Sequence, residues 1–341
     1  MKFRGKPLVH LMRGGAPDKI MFKLVPEYDL MKHDNCNLVS ISKDKITSIL
    51  SRYGNEYIMP ADEGDIRYAN QLNLPTELSS RIILPQDKDG RIIEYDKYVP
   101  KDSMIYTELG KNTDVKYPDF CSLTFDEFKS KYENNLGALD GKAIKTATGS
   151  GSRGVFLICK ERIGLGGKYV EELTPAQFKS FMDFAEHEGK CNILVQDISP
   201  ALLKCNTDFI IRDGKLITYK WDIVNQSQQF TNWDNFNVYR NKYTDTIMSQ
   251  ITEFLCSKGI YNAFMNFESF TDFENETYMV EFNWRYSNTT FEYQAFNKDL
   301  IELYLDKKEW FSPLDKKIRC SRYWRCIQYE QIPNYIDSSC L

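Results

Sequence analysis

The sequence is poor in histidine and has no long apolar run. Its 341 residues include three histidines, His10, His33 and His187, which argues against a zinc site or a Ser-His-Asp triad. No apolar stretch approaches the roughly 18 residues that a membrane-spanning helix needs, and the first residues lack the apolar segment of a secretory signal. Chemistry that depends on histidine and insertion into a bilayer are therefore both disfavoured.

Cysteine usage and charge also exclude several classes of protein. The nine cysteines include no C-x-x-C pair, and their odd number argues against a full set of disulfides. The formal net charge of −4 gives no reason to expect nucleic acid or an anionic membrane as a partner. These features together predict a protein of the reducing cytoplasm.

Residues 1–100 predict an N-terminal α/β domain. Within it, residues 35–42 and 56–60 have the apolar pattern of buried strands, and residues 43–54 have the spacing of a short amphipathic helix. A further pair of strands is predicted around Asp89-Gly90, because Asp-Gly is typical of hairpin turns. The segment that follows is polar and contains prolines, so we place a domain boundary near residue 100.

The remaining chain predicts a small subdomain at residues 101–198 and a larger one, with a C-terminal tail, at residues 199–341. Helices are predicted over residues 122–135, 173–190, 245–259 and 292–310, and strands over residues 192–199, 208–224, 261–270 and 277–286. The 208–224 segment is predicted to turn at Asp213-Gly214. Residues 225–244, rich in Asn, Gln and aromatic side chains, predict either a loop that faces a substrate or a long solvated connection.

The string G-S-G-S-R-G at residues 149–154 matches the dinucleotide fingerprint G-x-G-x-x-G. That fingerprint requires a helix after the loop, whereas residues 155–159 are apolar and β-branched and predict a strand. The loop therefore joins two strands, with Lys145 at its entrance. Backbone N–H groups of such a loop can wrap a phosphate while the lysine adds a positive charge. The alternative is a solvated lysine before a surface turn.

Acidic and amide side chains in two later strands suggest a metal site. The two-residue period of a strand places Glu281 and Asn283 on one face, and Glu268 can reach the same place if its strand is the hairpin neighbour. Oxygen ligands of this kind suit Mg²⁺, which is commonly shared with nucleotide phosphates. The alternative is an ordinary antiparallel pair with its polar residues in solvent.

In their order along residues 100–305, these segments resemble the ATP-grasp superfamily. "AIKTATGSGSRGV" resembles its lysine strand and phosphate lid, "ILVQDIS" its hinge strand and "VEFNWR" its E-x-N-x-R pattern. The thirteen-residue separation of Glu268 and Glu281 is similar to that in the D-alanine–D-alanine ligase type, and carbamoyl-phosphate-synthase-like members are also similar. The resemblance implies an α+β ATP-grasp fold preceded by an α/β domain. Trp284 departs from it, since many members carry proline there.

The resemblance also implies roles for particular residues. Arg285 and Lys145 would be catalytic, and Glu268, Glu281 and Asn283 would hold two Mg²⁺ ions. ATP would be bound by Lys101, Lys145, Thr148, Gly149, Ser150, Gly151, Ser152, Arg153, Gly154, Gln196, Asp197, Ser199, Asp208 and Lys220. For the upstream phosphate lysine, Lys97 and Lys116 are alternatives to Lys101.

The implied activity is that of an ADP-forming carboxylate–amine ligase. Such an enzyme phosphorylates a small-molecule or peptide carboxylate with ATP and then joins the acyl phosphate to an amine, with Mg²⁺ as cofactor. The same nucleotide-binding residues would serve a small-molecule kinase, or a nucleotide-binding scaffold without turnover. Neither nucleic acid nor a membrane is expected as a partner, and a homodimer is possible.

Overall fold

The computed structural model describes residues 8–13, 29–34, 38–52, 54–60, 63–94, 103–147, 154–160, 168–198, 203–226, 233–239, 241–272, 275–285, 304 and 319–320. In these ranges, helices α1 to α7 are Lys43–Ser51, Glu63–Gln71, Thr76–Ser79, Ser103–Asn112, Phe125–Tyr132, Pro175–His187 and Lys242–Ser257. Strands β1 to β14 are Leu8–Arg13, Asp29–Asp34, Glu56–Met59, Phe120–Leu123, Lys142–Thr146, Val155–Ile158, Lys168–Val170, Ile193–Asp197, Leu203–Arg212, Lys215–Gln226, Trp233–Tyr239, Ala263–Thr271, Thr277–Asn283 and Arg319–Cys320.

The strands form three sheets. The N-terminal sheet is parallel, in the order β2-β1-β3. A five-stranded sheet has the order β4-β8-β5-β6-β7, and a six-stranded sheet has the order β13-β12-β9-β10-β11-β14. The mixture of helices and sheets is the α+β architecture that the sequence predicts. None of the helices in the described ranges is long and apolar enough to cross a membrane.

Helices α5 and α6 cover one face of the five-stranded sheet. Both helices start with a capping box, at Thr124 and at Thr174, in which the threonine side chain and a residue three positions later satisfy each other's backbone N–H groups. Phe128 and Phe181, one from each helix, are fully buried against the sheet. Burying a ring of this size stabilises the fold by roughly 2–3 kcal/mol. The opposite face of this sheet does not pack against α5 or α6.

Helix α7 packs against one face of the six-stranded sheet. Its Ile247, Met248 and Ile251 are fully buried in a core that includes Trp221 and Phe267 of the sheet. The same core continues into the predicted N-terminal domain through Ile58 and the helices around it. Because the core is continuous, the N-terminal segment is held firmly against the six-stranded sheet.

Three predicted elements differ from the structure. Residues 38–40 form a 3-10 turn, so the predicted strand at 35–42 is wrong in its described part. The predicted hairpin around Gly90 is a tight turn with one isolated bridge between Gln86 and Ile92. The 225–244 segment contains β11, which pairs with β10 and is therefore not wholly loop. The residues of each segment favour a strand or a turn locally, but pairing with neighbouring strands decides which structure forms.

Some helices and strands of the structure have no clear pattern in the sequence. Strands β1 and β2 and helix α4 were not predicted, and α4 lies in the polar segment taken as a boundary. Ile105 and Leu109 of α4 are buried in the core shared with α7. The predicted helix at 292–310 lies outside the described residues except for Tyr304. The division of the chain near residues 100 and 198 stays a prediction.

A buried polar pair lies in the N-terminal sheet. His10 of β1 and Glu56 of β3 are 5% and 1% exposed, and His10 Nε2 lies 3.1 Å from Glu56 Oε2. Burial, and then the charge of Arg52, lower the pKa of His10 to about 4, while burial raises the pKa of Glu56. At neutral pH the imidazole is therefore uncharged, and the contact is a hydrogen bond between His10 and Glu56.

This pair predicts a dependence of stability on pH. The folded-state pKa of His10, about 4, lies below its ordinary value of 6.5, so its contribution to stability is complete above about pH 6.5 and is lost as the pH falls toward 4. We expect the free energy of unfolding of the wild type, relative to His10→Gln, to decrease between pH 7 and pH 4.5 in urea titrations. The matched control is His187→Gln on the exposed end of α6, which should show no such change. If the difference in unfolding free energy between the wild type and His10→Gln does not change with pH, the lowered pKa of His10 is contradicted.

Candidate functional site

The five-stranded and six-stranded sheets face each other, and we refer to the region between them as the cleft. On the five-stranded sheet, Ala143 and Leu157 point away from the helices and contact Phe270 of the six-stranded sheet. Tyr278 and Val280 of β13 pack against this apolar cluster. One end of the cleft is therefore apolar, with residues from both sheets lining it.

The other end of the cleft is polar. In β12 and β13, Glu268 is the direct cross-strand partner of Glu281, and Asn266 is the partner of Asn283. Glu268 and Asn266 lie on the same face of β12 as Phe270, because side chains alternate along a strand. Their intervening neighbour Phe267 is fully buried on the opposite face. The pairing of β12 with β13 thus brings together the three residues that the sequence predicts as metal ligands.

A bulge shapes this end of β13. The pairing shifts from Glu268 opposite Glu281 to Ser269 opposite Met279, so that Val280 is an extra residue in β13. A bulge reverses the alternation locally, which lets Val280 face the apolar cluster while Glu281 beside it faces the cleft. Lys145 of β5 is 6% exposed, and its Nζ donates to the Val280 carbonyl oxygen at 3.1 Å. The predicted phosphate lysine therefore lies next to a predicted metal ligand.

The amide of Asn283 lies between the two carboxylates. Its Nδ2 is 3.3 Å from Glu268 Oε1 and 3.4 Å from Glu281 Oε1, and it donates to Asn266 Oδ1 at 3.0 Å. Arg285 Nη2 is 3.4 Å from Asn283 Oδ1. A positively polarised NH₂ group thus occupies the point toward which both carboxylates converge.

These side chains fit the requirements of Mg²⁺. Magnesium takes oxygen ligands and is commonly held by one or two carboxylates together with phosphate oxygens and water. Glu268 and Glu281 supply such carboxylates. Asn283 turns its NH₂ group toward them and its oxygen toward Arg285, so its amide would have to turn over before the oxygen could join this set. No group of three or more His, Cys, Asp and Glu side chains suited to a metal occurs among the described residues.

Buried polar residues extend the site onto β9. Asp208 is fully buried, and its Oδ1 accepts a hydrogen bond of 3.1 Å from Asn266 Nδ2. Asn206, the cross-strand partner of Glu268, is 5% exposed, and its Oδ1 has no hydrogen-bond partner among the described residues. Sequence analysis missed Asn206 and Asn266. Asn266 lies two residues before Glu268, so strand alternation would have placed it on the same face.

The hinge strand β8 lies beside β5. Gln196 pairs with Ala143 and is 4% exposed, and its Nε2 has no hydrogen-bond partner among the residues that the structure describes. The carboxylate of Asp197 forms an ion pair with Lys142. Gln196 therefore borders the cleft with an unsatisfied donor, whereas the Asp197 side chain is engaged within the fold.

Several predicted ATP-binding residues lie outside the described residues. These are Lys101, Ser199 and residues 148–153 of the glycine-rich loop, and Lys97 is likewise outside them. The backbone of Lys220 pairs with Asp208 across β9 and β10, but its side chain is not described. For Lys116, the ammonium contacts Glu276 at 2.6 Å and lies 5.7 Å from the ring centre of Tyr278.

The end of the glycine-rich loop requires glycine at position 154. Gly154 has φ of +69°, and a Cβ there would lie 2.3 Å from Phe184 Cε1 of α6 and 2.6 Å from Thr146 Oγ1. The Gly154 carbonyl also accepts a 3.1 Å hydrogen bond from Thr146 N–H, which closes the base of the loop. The loop is therefore anchored between β5 and α6.

Gly154→Ala is predicted to destabilise the protein more than Gly141→Ala does. Gly141 has φ of +74° but has no atom within 4 Å of an added Cβ, so its replacement carries only the left-handed backbone strain of roughly 1–2 kcal/mol. At Gly154, overpacking adds roughly 1–3 kcal/mol. Urea unfolding of both variants measures the difference. Equal losses would show that the Phe184 contact does not constrain the loop.

Solved structures with a similar fold are ATP-grasp ligases. D-alanyl-alanine synthetase A from Vibrio cholerae O1 biovar eltor has a TM-score of 0.53 and 13% identity, over 89% of this chain and 98% of that one. Biotin carboxylase from Campylobacter jejuni, in a β-γ-ATP complex, has a TM-score of 0.57 and 13% identity, over 91% and 67%. Carboxyaminoimidazole ribonucleotide synthase from Aspergillus clavatus, complexed with ATP, has a TM-score of 0.53 and 10% identity, over 92% and 81%.

These likenesses show the fold of the chain. It is an α+β protein with the ATP-grasp fold, which confirms the resemblance seen in the sequence. No protein-family model matches the sequence, and no curated protein matches it. At 10–13% identity the likeness extends to the fold alone.

Proposed function

We propose that this protein is an ATP-dependent, ADP-forming ligase that activates a carboxylate as an acyl phosphate and joins it to an amine. The observation that carries the proposal is the convergence of Lys145 with Glu268, Glu281 and Asn283. Lys145 is held at the Val280 carbonyl, one residue before Glu281, although it comes from the other sheet. A buried cation beside two carboxylates and an amide is suited to triphosphate and metal binding.

The apolar end of the cleft suits an adenine base. Phe270, Leu157 and Ala143 form a buried apolar cluster between the sheets, and an adenine base would pack at its edge. Gln196 Nε2 and Asn206 Oδ1 are buried without hydrogen-bond partners in the described structure, and both border the cleft. A bound nucleotide has acceptors and hydroxyl donors that can satisfy such groups. Known ATP-grasp structures in complex with ATP have the same fold, which supports ATP as the nucleotide.

Each residue at the polar end has a proposed part in phosphoryl transfer. Glu268, Glu281 and Asn283 would hold Mg²⁺, which when bound neutralises charge on the phosphate oxygens. The ammonium of Lys145 would bind the α- and β-phosphates. Arg285, which reaches Asn283 Oδ1, would steady the transferred phosphoryl group. The protein supplies position and charge, and little covalent chemistry is required of it.

The acid and the amine are proposed only by class, as small molecules or peptides. The known structures include a D-alanyl-alanine synthetase, a biotin carboxylase and a ribonucleotide synthase, so the fold accommodates different substrates. A small-molecule kinase would use the same nucleotide site. The two activities differ in product, because a ligase releases inorganic phosphate together with ADP.

Mg-ATP is predicted to stabilise the wild type against thermal unfolding and to stabilise Glu281→Gln much less. A ligand at about 100 times its Kd adds roughly 2.7 kcal/mol to the native state. The control is Glu253→Gln on the exposed face of α7, which removes the same charge away from the cleft and should keep the full shift. Absence of a shift in the wild type at saturating Mg-ATP would overturn the nucleotide site.

Turnover of ATP with a panel of acids and amines is expected to yield ADP and inorganic phosphate in equal amounts. Omitting the amine should reduce phosphate release, because the acyl phosphate then lacks its nucleophile. Phosphate that stays on the acceptor in a stable product would support the kinase instead. Binding of Mg-ATP without any turnover across the panel would favour a scaffold.

A further inference from the structure

A cavity of about 320 Å³ lies where the N-terminal domain meets the tip of the β9–β10 hairpin. We refer to it as the junction cavity. Its wall includes Tyr57, Arg81, Lys88, Arg212, Asn262 and Tyr304. The volume is within the range of small-molecule sites, which are common where domains meet.

The junction cavity is separate from the metal-binding end of the cleft. Arg212 is four residues beyond Asp208 on β9, which corresponds to about 13 Å at roughly 3.3 Å per residue. Both residues lie on the same face of the strand, because their separation is even. A ligand in the cavity would therefore occupy the same side of the sheet as the cleft but would not contact Glu268 or Glu281.

The wall of the cavity carries more positive than negative charge. Arg81, Lys88 and Arg212 line it, against two acidic residues, Asp89 and Asp213, so its formal charge is +1. Arg212 is buried, with 8% of the residue exposed.

Arg81 is held in place by backbone carbonyls. Its Nε donates to Glu77 O at 3.2 Å and its Nη1 donates to Leu50 O, and neither bond uses Nη2. It forms no ion pair within the described part of the chain. Its charge acts through space on the buried Glu56 carboxyl, whose pKa it lowers against the larger effect of burial. A guanidinium fixed by two carbonyls is pre-oriented to bind an oxyanion.

We propose that the junction cavity binds a small molecule with a phosphate or carboxylate group, held by Arg81 and Arg212. Guanidinium groups match the planar, two-oxygen geometry of these anions. The phenols of Tyr57 and Tyr304 add neutral hydrogen-bonding groups at the same wall. The amide of Asn262 accepts from Asp213 N–H and donates to the Asp87 carbonyl, which joins the hairpin tip to the turn that carries Lys88. The proposal concerns a second site and does not depend on the nucleotide site or on catalysis.

Calorimetric titration with inorganic phosphate, and separately with citrate, at constant ionic strength tests the proposal. Wild type is expected to bind at least one of them saturably. Arg81→Met is expected to bind roughly tenfold more weakly, which corresponds to loss of one charge-assisted hydrogen bond. Lys88→Glu, an exposed change at the rim, should also weaken binding, and it keeps the test valid if Arg81→Met folds poorly.

Two controls locate the bound anion. Arg91→Glu makes the same change of charge as Lys88→Glu in the same turn, but Arg91 does not line the cavity. The affinity of this variant for the anion should therefore stay near the wild-type value. Lys145→Met tests whether the anion lies in the nucleotide cleft instead. Binding that is lost in Lys145→Met and kept in Arg81→Met and Lys88→Glu would overturn the proposal, as would the absence of saturable binding to wild type.

The same probes distinguish a free anion from the anionic part of a substrate. If the proposed ligase activity is present, phosphate or citrate that competes with the acid or amine would identify the cavity as the distal end of the substrate site. An effect on rate without competition would identify a separate effector site. Calorimetry without ATP decides whether the cavity binds anions, so a failure of the ligase assignment does not alter that result.

Discussion

The contact between Lys145 and the Val280 carbonyl is the constraint on which the geometry of the cleft depends. It joins residues from different sheets, and it can form because β13 has one extra residue at this point. Without the bulge, Val280 and Glu281 would face opposite sides of the sheet. The bulge lets a backbone carbonyl hold the lysine while the adjacent carboxylate faces the same cleft. A buried ammonium is costly unless such partners are present.

The side chains at the polar end of the cleft are hydrogen-bonded to one another. Asp208, Asn266 and Asn283 form a continuous hydrogen-bonded chain across β9, β12 and β13, and each is at most 3% exposed. Buried networks of this kind are strong when every member is satisfied. The chain orients the NH₂ group of Asn283 toward Glu268 and Glu281, so these two carboxylates are held close together without a bound ligand.

One face of the six-stranded sheet carries both the cleft and the junction cavity. The opposite face packs on α7 and is mainly apolar around Phe267 and Met248, with the buried Thr207 beside Phe267. This separation lets the core stabilise the sheet while the other face carries charged and amide groups. The N-terminal domain shares the apolar core and also lines the junction cavity through Arg81. A ligand at the junction would thus contact the N-terminal domain and the hairpin together.

Local chemistry in the sequence determined the helices with capping residues, the Asp213-Gly214 hairpin, the strands on either side of the glycine-rich loop, and the shared face of Glu281 and Asn283. These follow from periods of two and 3.6 residues and from turn preferences, which act over a few neighbours. Tertiary structure alone decided that Lys145 lies beside Val280, 135 residues away, that Asn206 joins the site, and that residues 38–40 form a turn. Such outcomes depend on sheet pairing and burial between distant segments, which no local pattern encodes.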